Sequence, residues 1–445
     1  MYLFQELRDK NNSFIYKSFD FIDDGTNLSL EFEYNLVEDT KTTVFIHKLD
    51  IKKSHKISIC KNIDNIIFHI GLIEAINYWK IATPKDFFIR CGYINDEQIQ
   101  WFKKLYYNGL GEFLYINQIS ISIDDFVDFK IENDFEAFEI ISCKTENNNI
   151  IPIGGGKDSL VTYELLKDEF PNSYLFSINP IKASQNILDR NPKNSIVLSR
   201  KLDMQILKFN KQGYLNGHIP FSSIVGFISI YLGLLYKIKY IVLSNESSAN
   251  EENVVFNDLK VNHQYSKSLE FENDFRYYIS KFITKDVEYF SFLRPLEEIQ
   301  IASLFSKNKE YFDIFLSCNV GSKEDRWCGK CPKCMFTYMM LCNFIEDDTM
   351  IRIFGKNMFE DKDLELIFNK LYKTTEVKPF ECVGTYDEVN YALQKKIQSY
   401  KKDKLPYLLK KYDAPLIGDY DLSVDYKSQN NLPNIFKDIL KKYVI

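Results

Sequence analysis

Gly154, Gly155, Gly156, Lys157, Asp158 and Ser159 follow directly on the apolar run Ile150-Ile151-Pro152-Ile153. Three glycines at a strand end let the backbone turn through dihedrals that other residues avoid, and bring its N–H groups close to an anion. The residues that follow have the pattern of an amphipathic helix, whose positive N-terminus would aim at the same point. The chemistry this suits is the holding of phosphate. The bland alternative is a glycine-rich strand-to-helix turn that binds nothing, and the Asp158-Ser159 pair in register after the turn weighs against it.

Cys318, Cys328, Cys331 and Cys334 form the pattern C-x9-C-x2-C-x2-C, with Gly329 and Pro332 supplying turns between them. Two-residue spacers let thiolates converge on one tetrahedral ion at about 2.3 Å per Zn–S bond. Four thiolates close the coordination shell, so the expected zinc is structural. An iron–sulfur cluster uses the same ligands and stands as the alternative; four unliganded thiols is the bland one. The other cysteines, Cys60, Cys91, Cys143, Cys342 and Cys382, are scattered and read as core residues rather than as a disulfide framework.

Three polar segments lie between these motifs: Asn216-Gly217-His218, Ser244-Asn245-Glu246, and the run from Asn262 through His263, Gln264, Ser266 and Lys267 to Ser268. His218 and His263 have the near-neutral pKa that proton transfer needs, and Lys267 can serve either as a proton carrier or as a cation for a carboxylate. The structural alternative for each histidine is a hydrogen-bonded core residue. Asn245 and Glu246 fall at a strand end, where open α/β sheets bind ligands, so Glu246 suits a divalent cation or a ribose. Arg294 suits a carboxylate or a pyrophosphate. Asn216, Asn262, Gln264 and Ser266 offer neutral hydrogen bonds to a substrate. His47, His55 and His69 lie in the N-terminal part and are not expected to be catalytic.

The elements that must carry these groups change character near residue 145. Residues 13–60 alternate in short apolar runs that predict antiparallel strands, and 62–82 and 96–108 predict helices. Beyond a polar break at 145–149 the pattern becomes strand-helix-strand, with strands at 150–153, 174–178, 195–198 and 240–244 and helices at 159–167 and 221–236. That alternation predicts a mainly parallel sheet covered by helices. A helix at 336–344 and a charged helical tail follow. The expected class is α/β, in three segments: an α+β domain at 1–145, a nucleotide-binding domain at 146–317, and the cysteine site with helices at 318–445.

Composition narrows the partners. Across 445 residues, 56 basic against 62 acidic side chains give a net charge of −6, so no global positive field gathers nucleic acid or anionic membrane. The least charged stretch, 219–236, contains Ser222, Ser223, Gly226 and Gly233 and falls short of the roughly 20 residues that span a bilayer. It predicts a buried helix. The first residues lack an export signal, so a cytoplasmic protein acting on a small molecule is expected, and nothing speaks to oligomeric state.

The glycine loop fits neither the Walker A spacing nor the dinucleotide fingerprint. It resembles the PP-loop of the N-type ATP pyrophosphatases, S-G-G-x-D-S, with Gly154 in place of the first serine. That resemblance implies an adenine-nucleotide alpha-hydrolase-like domain, ATP and Mg²⁺ as cofactors, phosphate contacts from Ser159 and the Gly155 and Gly156 amides, and Asp158 on the metal or its waters. A four-cysteine zinc site also occurs in the 7-cyano-7-deazaguanine synthases, which are PP-loop enzymes. The downstream segments are more specific. Asn216-Gly217-His218-Ile219-Pro220, Ser244 to Ala249, Val261 to Glu272, Leu293-Arg294-Pro295-Leu296, Ser317-Cys318-Asn319 and Trp327 to Cys334 together resemble the UDP-N-acetylmuramoyl-L-alanyl-L-glutamate epimerases (MurL), over roughly residues 150–345.

That resemblance implies ATP-driven inversion of a terminal L-glutamate, with adenylation of its carboxylate, release of AMP and pyrophosphate, and a proton removed and returned at the α-carbon. Two other readings stay open. One is a PP-loop enzyme acting on a 7-deazaguanine or on tRNA, which shares the loop and the cysteines. The other is a nucleotide-binding scaffold without turnover. The first 145 residues and the last hundred carry no matched motif.

Overall fold

The computed structural model of the chain describes residues 4–53, 56–418, 420, 422–424 and 429–444. His55 lies outside the described residues. Among those described, the strands in chain order are β1 (Asn11–Asp23), β2 (Asn27–Glu38), β3 (Thr42–Lys52), β4 (Asp86–Ile89), β5 (Asp128–Ile131), β6 (Glu146–Pro152), β7 (Tyr174–Ile178), β8 (Ser195–Lys201), β9 (Ile238–Leu243), β10 (Val254–Phe256), β11 (Leu259–Val261) and β12 (Glu288–Ser291). Helices occupy most of the rest, so the class is α/β. The chain divides into two compact units, each assembled from separate stretches: Met1–Ile150, Ile196–Ile241 and Val255–Tyr289 in the first, and Ile151–Ser195, Val242–Val254 and Phe290–Ile445 in the second.

In the first unit β1, β2 and β3 form the expected antiparallel meander. Leu28, Leu30, Phe32, Tyr34 and Leu36 recur at every second position of β2 and are at most 1% exposed, which puts one whole face of the strand in the core. Each such side chain contributes about 1.5–3 kcal/mol by leaving water. The helix Asp64–Glu74 sits on that face through Gly71, where a Cβ would lie 1.9 Å from the Tyr16 hydroxyl, and the Tyr34 hydroxyl donates to the Gly71 carbonyl at 2.6 Å. β4 and β5 extend the meander in parallel beyond β1.

At the other edge β8 pairs antiparallel with β3, from Lys48 opposite Lys201 to Ile51 opposite Leu198. The sequence pattern predicts this strand but not this partner. Register with a strand some 150 residues earlier leaves no trace in the local alternation, which only says that Ile196 and Leu198 face a core. β6 and β9 pair in parallel, as expected. The 15-residue helix Phe221–Leu235 is apolar on nearly every side and largely buried, so it is a core helix. No helix among the described residues is long and apolar enough to cross a membrane.

Glu74, Arg200 and His47 form a sealed ion cluster in this unit. Arg200 donates from Nε and Nη2 to both Glu74 oxygens at 2.8 and 2.6 Å. Burial alone would raise the Glu74 pKa, but Arg200 and His47 reverse that and hold it far below the usual carboxylate range. Cys60 and Cys143 are joined as a disulfide across 83 residues, which corrects the reading of both as independent core cysteines.

In the second unit the end of β6 passes into Ile153, whose N–H donates to Phe176 of β7 at 2.7 Å, and then into the glycine turn. The helix Lys157–Leu166 follows, with Gly156 at its N-cap, and packs against Glu298–Ser306. The helix Pro332–Leu341 starts inside the cysteine motif because Pro332 occupies its first turn, where a missing N–H costs nothing. Thr385 and Glu388 form a capping box at the start of Tyr386–Ser399.

Candidate active site

Three groups of chemistry-bearing side chains stand out among the described residues, two in the second unit and one in the first. In the second unit Gly155 has φ +96°, and a Cβ there would lie 3.0 Å from the Ala183 Cβ and 3.1 Å from the Ser184 nitrogen. The Leu316 N–H donates to the Gly155 carbonyl at 2.8 Å and fixes the turn. Gly154 has open space around its missing Cβ, whereas Gly156 faces Ser317 at 3.4 Å. Ser159 is buried within the first turn of the helix, its hydroxyl 3.3 Å from the Gly156 carbonyl. The loop therefore presents a bared backbone at a helix N-terminus, the arrangement that suits an anion.

Around that turn lie Asp158, Glu246 and Glu298, which can each place a carboxylate oxygen within 4.8 Å of the others. Lys157 is 5% exposed; its ammonium donates to Asp158 Oδ1 at 2.5 Å and to Glu298 Oε2. Burial works against the charge on Lys157, but the two carboxylates outweigh it and raise its pKa. Burial first, then the neighbouring Asp158, Glu246 and Glu388, push Glu298 well above the ordinary carboxylate range despite Lys157. Glu388 itself rises to about 7 through burial, and its carboxylate accepts from the Glu298 N–H at 2.6 Å. An all-oxygen set of this kind fits a hard cation such as Mg²⁺.

The strand-end loop that carries Glu246 is held from below. Asn245 donates to the Ser291 hydroxyl at 2.9 Å, and the Ser247 N–H to the Leu296 carbonyl at 3.0 Å. Arg294 is 2% exposed, and its guanidinium donates to the Glu246 carbonyl at 2.6 Å and to Ser291 at 3.3 Å. In this geometry Arg294 fixes the position of Glu246.

Cys318, Cys328, Cys331 and Cys334 converge in the second unit, with Sγ···Sγ distances of 3.8 Å for 318–331, 3.6 Å for 328–334 and 3.4 Å for 331–334. Four sulfurs at about 2.3 Å from one ion would sit about 3.8 Å apart, so the set has nearly the right size. The Gly321 and Cys328 N–H groups point at Cys318 Sγ from 3.1 and 3.4 Å, as donors to a thiolate do. At Gly321 a Cβ would fall 2.1 Å from the Arg326 carbonyl, so the knuckle needs glycine there.

In the first unit His218 and His263 come together, their rings 4.2 Å apart between centroids and tilted by 41°. Both face Glu112, whose Oε2 lies 2.5 Å from His263 Nδ1 and 3.9 Å from His218 Nδ1. Lys80, 8% exposed, donates to the Gly217 carbonyl in the same loop as His218. Burial brings Lys80 down to about 8, with Glu112 opposing. Burial, then His263, Lys80 and Lys267, bring His218 down to about 3, so it is neutral at physiological pH. Asn262 accepts from the Gln264 N–H at 2.7 Å, and Ser268 caps Leu269–Tyr278. Ser266 and Gln264 are buried, and Gln264 Oε1 is a buried acceptor with no hydrogen-bond partner among the described residues. Asn216 is exposed, and its backbone carbonyl is held by Asn117 at 3.0 Å. His47 and His69, both buried, belong to the core instead, His69 against Asn65 and Gln98.

Glu112, Lys80, Glu298 and Glu388 were not among the residues singled out from the sequence. A charge in a stretch without a motif looks like any solvated residue, so no sequence signal separates these four from the other charges.

The family models for the MurL N-terminal domain and the MurL C-terminal domain match residues 5–292 and 314–414. The UDP-N-acetyl-alpha-D-muramoyl-L-alanyl-L-glutamate epimerase of Xanthomonas oryzae pv. oryzae (strain MAFF 311018) is 32% identical over 330 residues, covering 73% of this chain and 72% of that protein. The epimerase of the same name from Micromonospora sp. (strain ATCC 39149 / NRRL 15099 / SCC 1413) is 29% identical over 332 residues, 73% of each chain. With the first match spanning the meander, the glycine turn and the histidine cluster alike, this chain belongs to the MurL family.

Proposed function

We propose that this protein inverts the terminal L-glutamate of UDP-MurNAc-L-Ala-L-Glu to D-glutamate, a step in peptidoglycan precursor synthesis, with ATP as second substrate and AMP and pyrophosphate as products. The observation that carries the reading is the likeness to named epimerases over 73% of the chain. A cytoplasmic location goes with it.

The chemistry explains why one protein carries both the carboxylate group and the histidine group. An α-proton beside a free carboxylate is hardly acidic, because removing it sets two negative charges side by side. Adenylation of the carboxylate removes one charge and makes the α-carbon a workable acid. Gly154, Gly155, Gly156 and Ser159 suit the phosphates, and Asp158, Glu246 and Glu298, with Lys157 balancing their charge, suit Mg²⁺. Asn245 and Arg294 keep Glu246 in place. Proton removal and return then fall to His218, His263 and Lys267. Gln264 Oε1 is available to a substrate N–H, with Asn216, Asn262 and Ser266 in the same segments. A structural zinc on the four cysteines would tie the start of Pro332–Leu341 to the loop at Cys318.

The test is to incubate the purified protein with ATP, Mg²⁺ and the UDP-linked dipeptide in deuterated water. Deuterium at the glutamate α-carbon together with AMP is the expected result, and the absence of both would sink the proposal.

A further inference from the structure

We infer that Glu112 is the positioning residue for His263: it holds Nδ1, fixes the tautomer of the ring, and so makes Nε2 the atom that exchanges a proton with the substrate's α-carbon. This rests on the epimerase reading. Glu112 is the second residue of the short helix Gly111–Ile116, in the part of the chain where no motif is legible, and its side chain is 11% exposed. Its Oε2 lies 2.5 Å from His263 Nδ1, so the carboxylate accepts the Nδ1 hydrogen.

The charges facing the pair explain why one imidazole is chosen over the other. Three groups able to carry a positive charge face the Glu112 carboxylate: Lys80, which also holds the Gly217 carbonyl, and the two rings 4.2 Å apart. Simultaneous protonation of both rings would place two cations side by side, with Lys80 a third. The ring in contact with Glu112 takes the charge at least cost. His218, 3.9 Å from the same oxygen and facing Lys80 and Lys267, stays neutral and packs against its partner.

In the step itself, Nε2 of His263 accepts the α-proton and the C–H electron pair moves into the activated acyl group. The imidazolium is stabilised by the Glu112 carboxylate. A general acid on the opposite face returns a proton to carbon, and His263 later gives its proton to solvent.

Glu112, His218 and His263 also have the makings of a metal site. Two ligands of one ion bound at about 2.0–2.2 Å sit roughly 3 Å apart, so the 2.5 Å contact between Glu112 and His263 is a hydrogen bond.

The experiment compares wild type with Glu112→Gln and Glu112→Asp, following deuterium incorporation, AMP release, the pH dependence of kcat/KM, and bound metal. For Glu112→Gln we expect inversion to slow by about 10²-fold with little change in KM and AMP release retained. The acid limb should move to lower pH, because the imidazolium formed at His263 would lack the carboxylate that lies 2.5 Å from its Nδ1. Glu112→Asp should recover part of the rate. Inversion within about twofold of wild type and an unmoved acid limb would overturn the inference, as would a stoichiometric metal that both Glu112→Gln and His263→Gln remove. Should the glutamine variant not fold, the aspartate variant decides, since its altered contact must still shift the limb. Wild type without deuterium or AMP would instead bring down the epimerase reading.

Discussion

Below pH 6.5 the unfolded chain takes up a proton on His69 that the native protein refuses. Inside the first unit His69 is 1% exposed, its Nδ1 donates to the Asn65 carbonyl at 2.7 Å, and Gln98 lies at 3.3 Å from Nε2. Burial lowers its pKa to about 4, the Asn65 carbonyl opposing. Between these two values the unfolded state binds more protons than the native state, so stability falls as pH falls from 6.5 to about 4. The share due to His69 is about 3 kcal/mol over that window. Urea midpoints at pH 7 and pH 5 should differ accordingly, and His69→Leu, whatever its own stability, should narrow the difference. That His69 is structural was legible from its place outside the motif segments. That Glu112 stands beside His263 was not, because 151 residues separate them and only the fold brings them together.

At the level of elements, the glycine turn was the most readable feature, since strand, turn and helix all lie within one short stretch. Which glycine matters most was not readable. Gly155 needs φ +96° and has no room for a Cβ, whereas Gly154 has both ordinary backbone and open space. Gly155→Ala should therefore abolish AMP release and lower stability by about 1–3 kcal/mol, while Gly154→Ala should leave the thermal midpoint near wild type. Differential scanning calorimetry with an AMP assay checks both. The cysteine spacing was equally local, and it also marks where Pro332–Leu341 begins. Cys331→Ser should reduce zinc content and the thermal midpoint together, because binding and folding are coupled at such sites. Zinc content that is unchanged, or zero already in wild type, would count against a zinc site.

For the molecule as a whole, motif order suggested consecutive segments dividing at residues 145 and 317. The compact units are instead interleaved along the chain, each taking three stretches. Sequence patterning registers a change of local period, and it did so near 145, but it carries no record of which distant strands share a core. β8 makes the point: nothing in its own pattern announces that it pairs with β3.

Interleaving bears on how the protein is made. Synthesis must reach Tyr289 before the last stretch of the first unit exists, by which point two of the three stretches of the second have already emerged. Within that interval the nascent meander keeps its β3 edge unpaired until β8, Ser195–Lys201, is made, an exposed strand edge of the kind that seeds aggregation. Fragments cut at residue 145 would keep that edge permanently, so expression of this protein in pieces should follow the stretches of its units rather than its motifs.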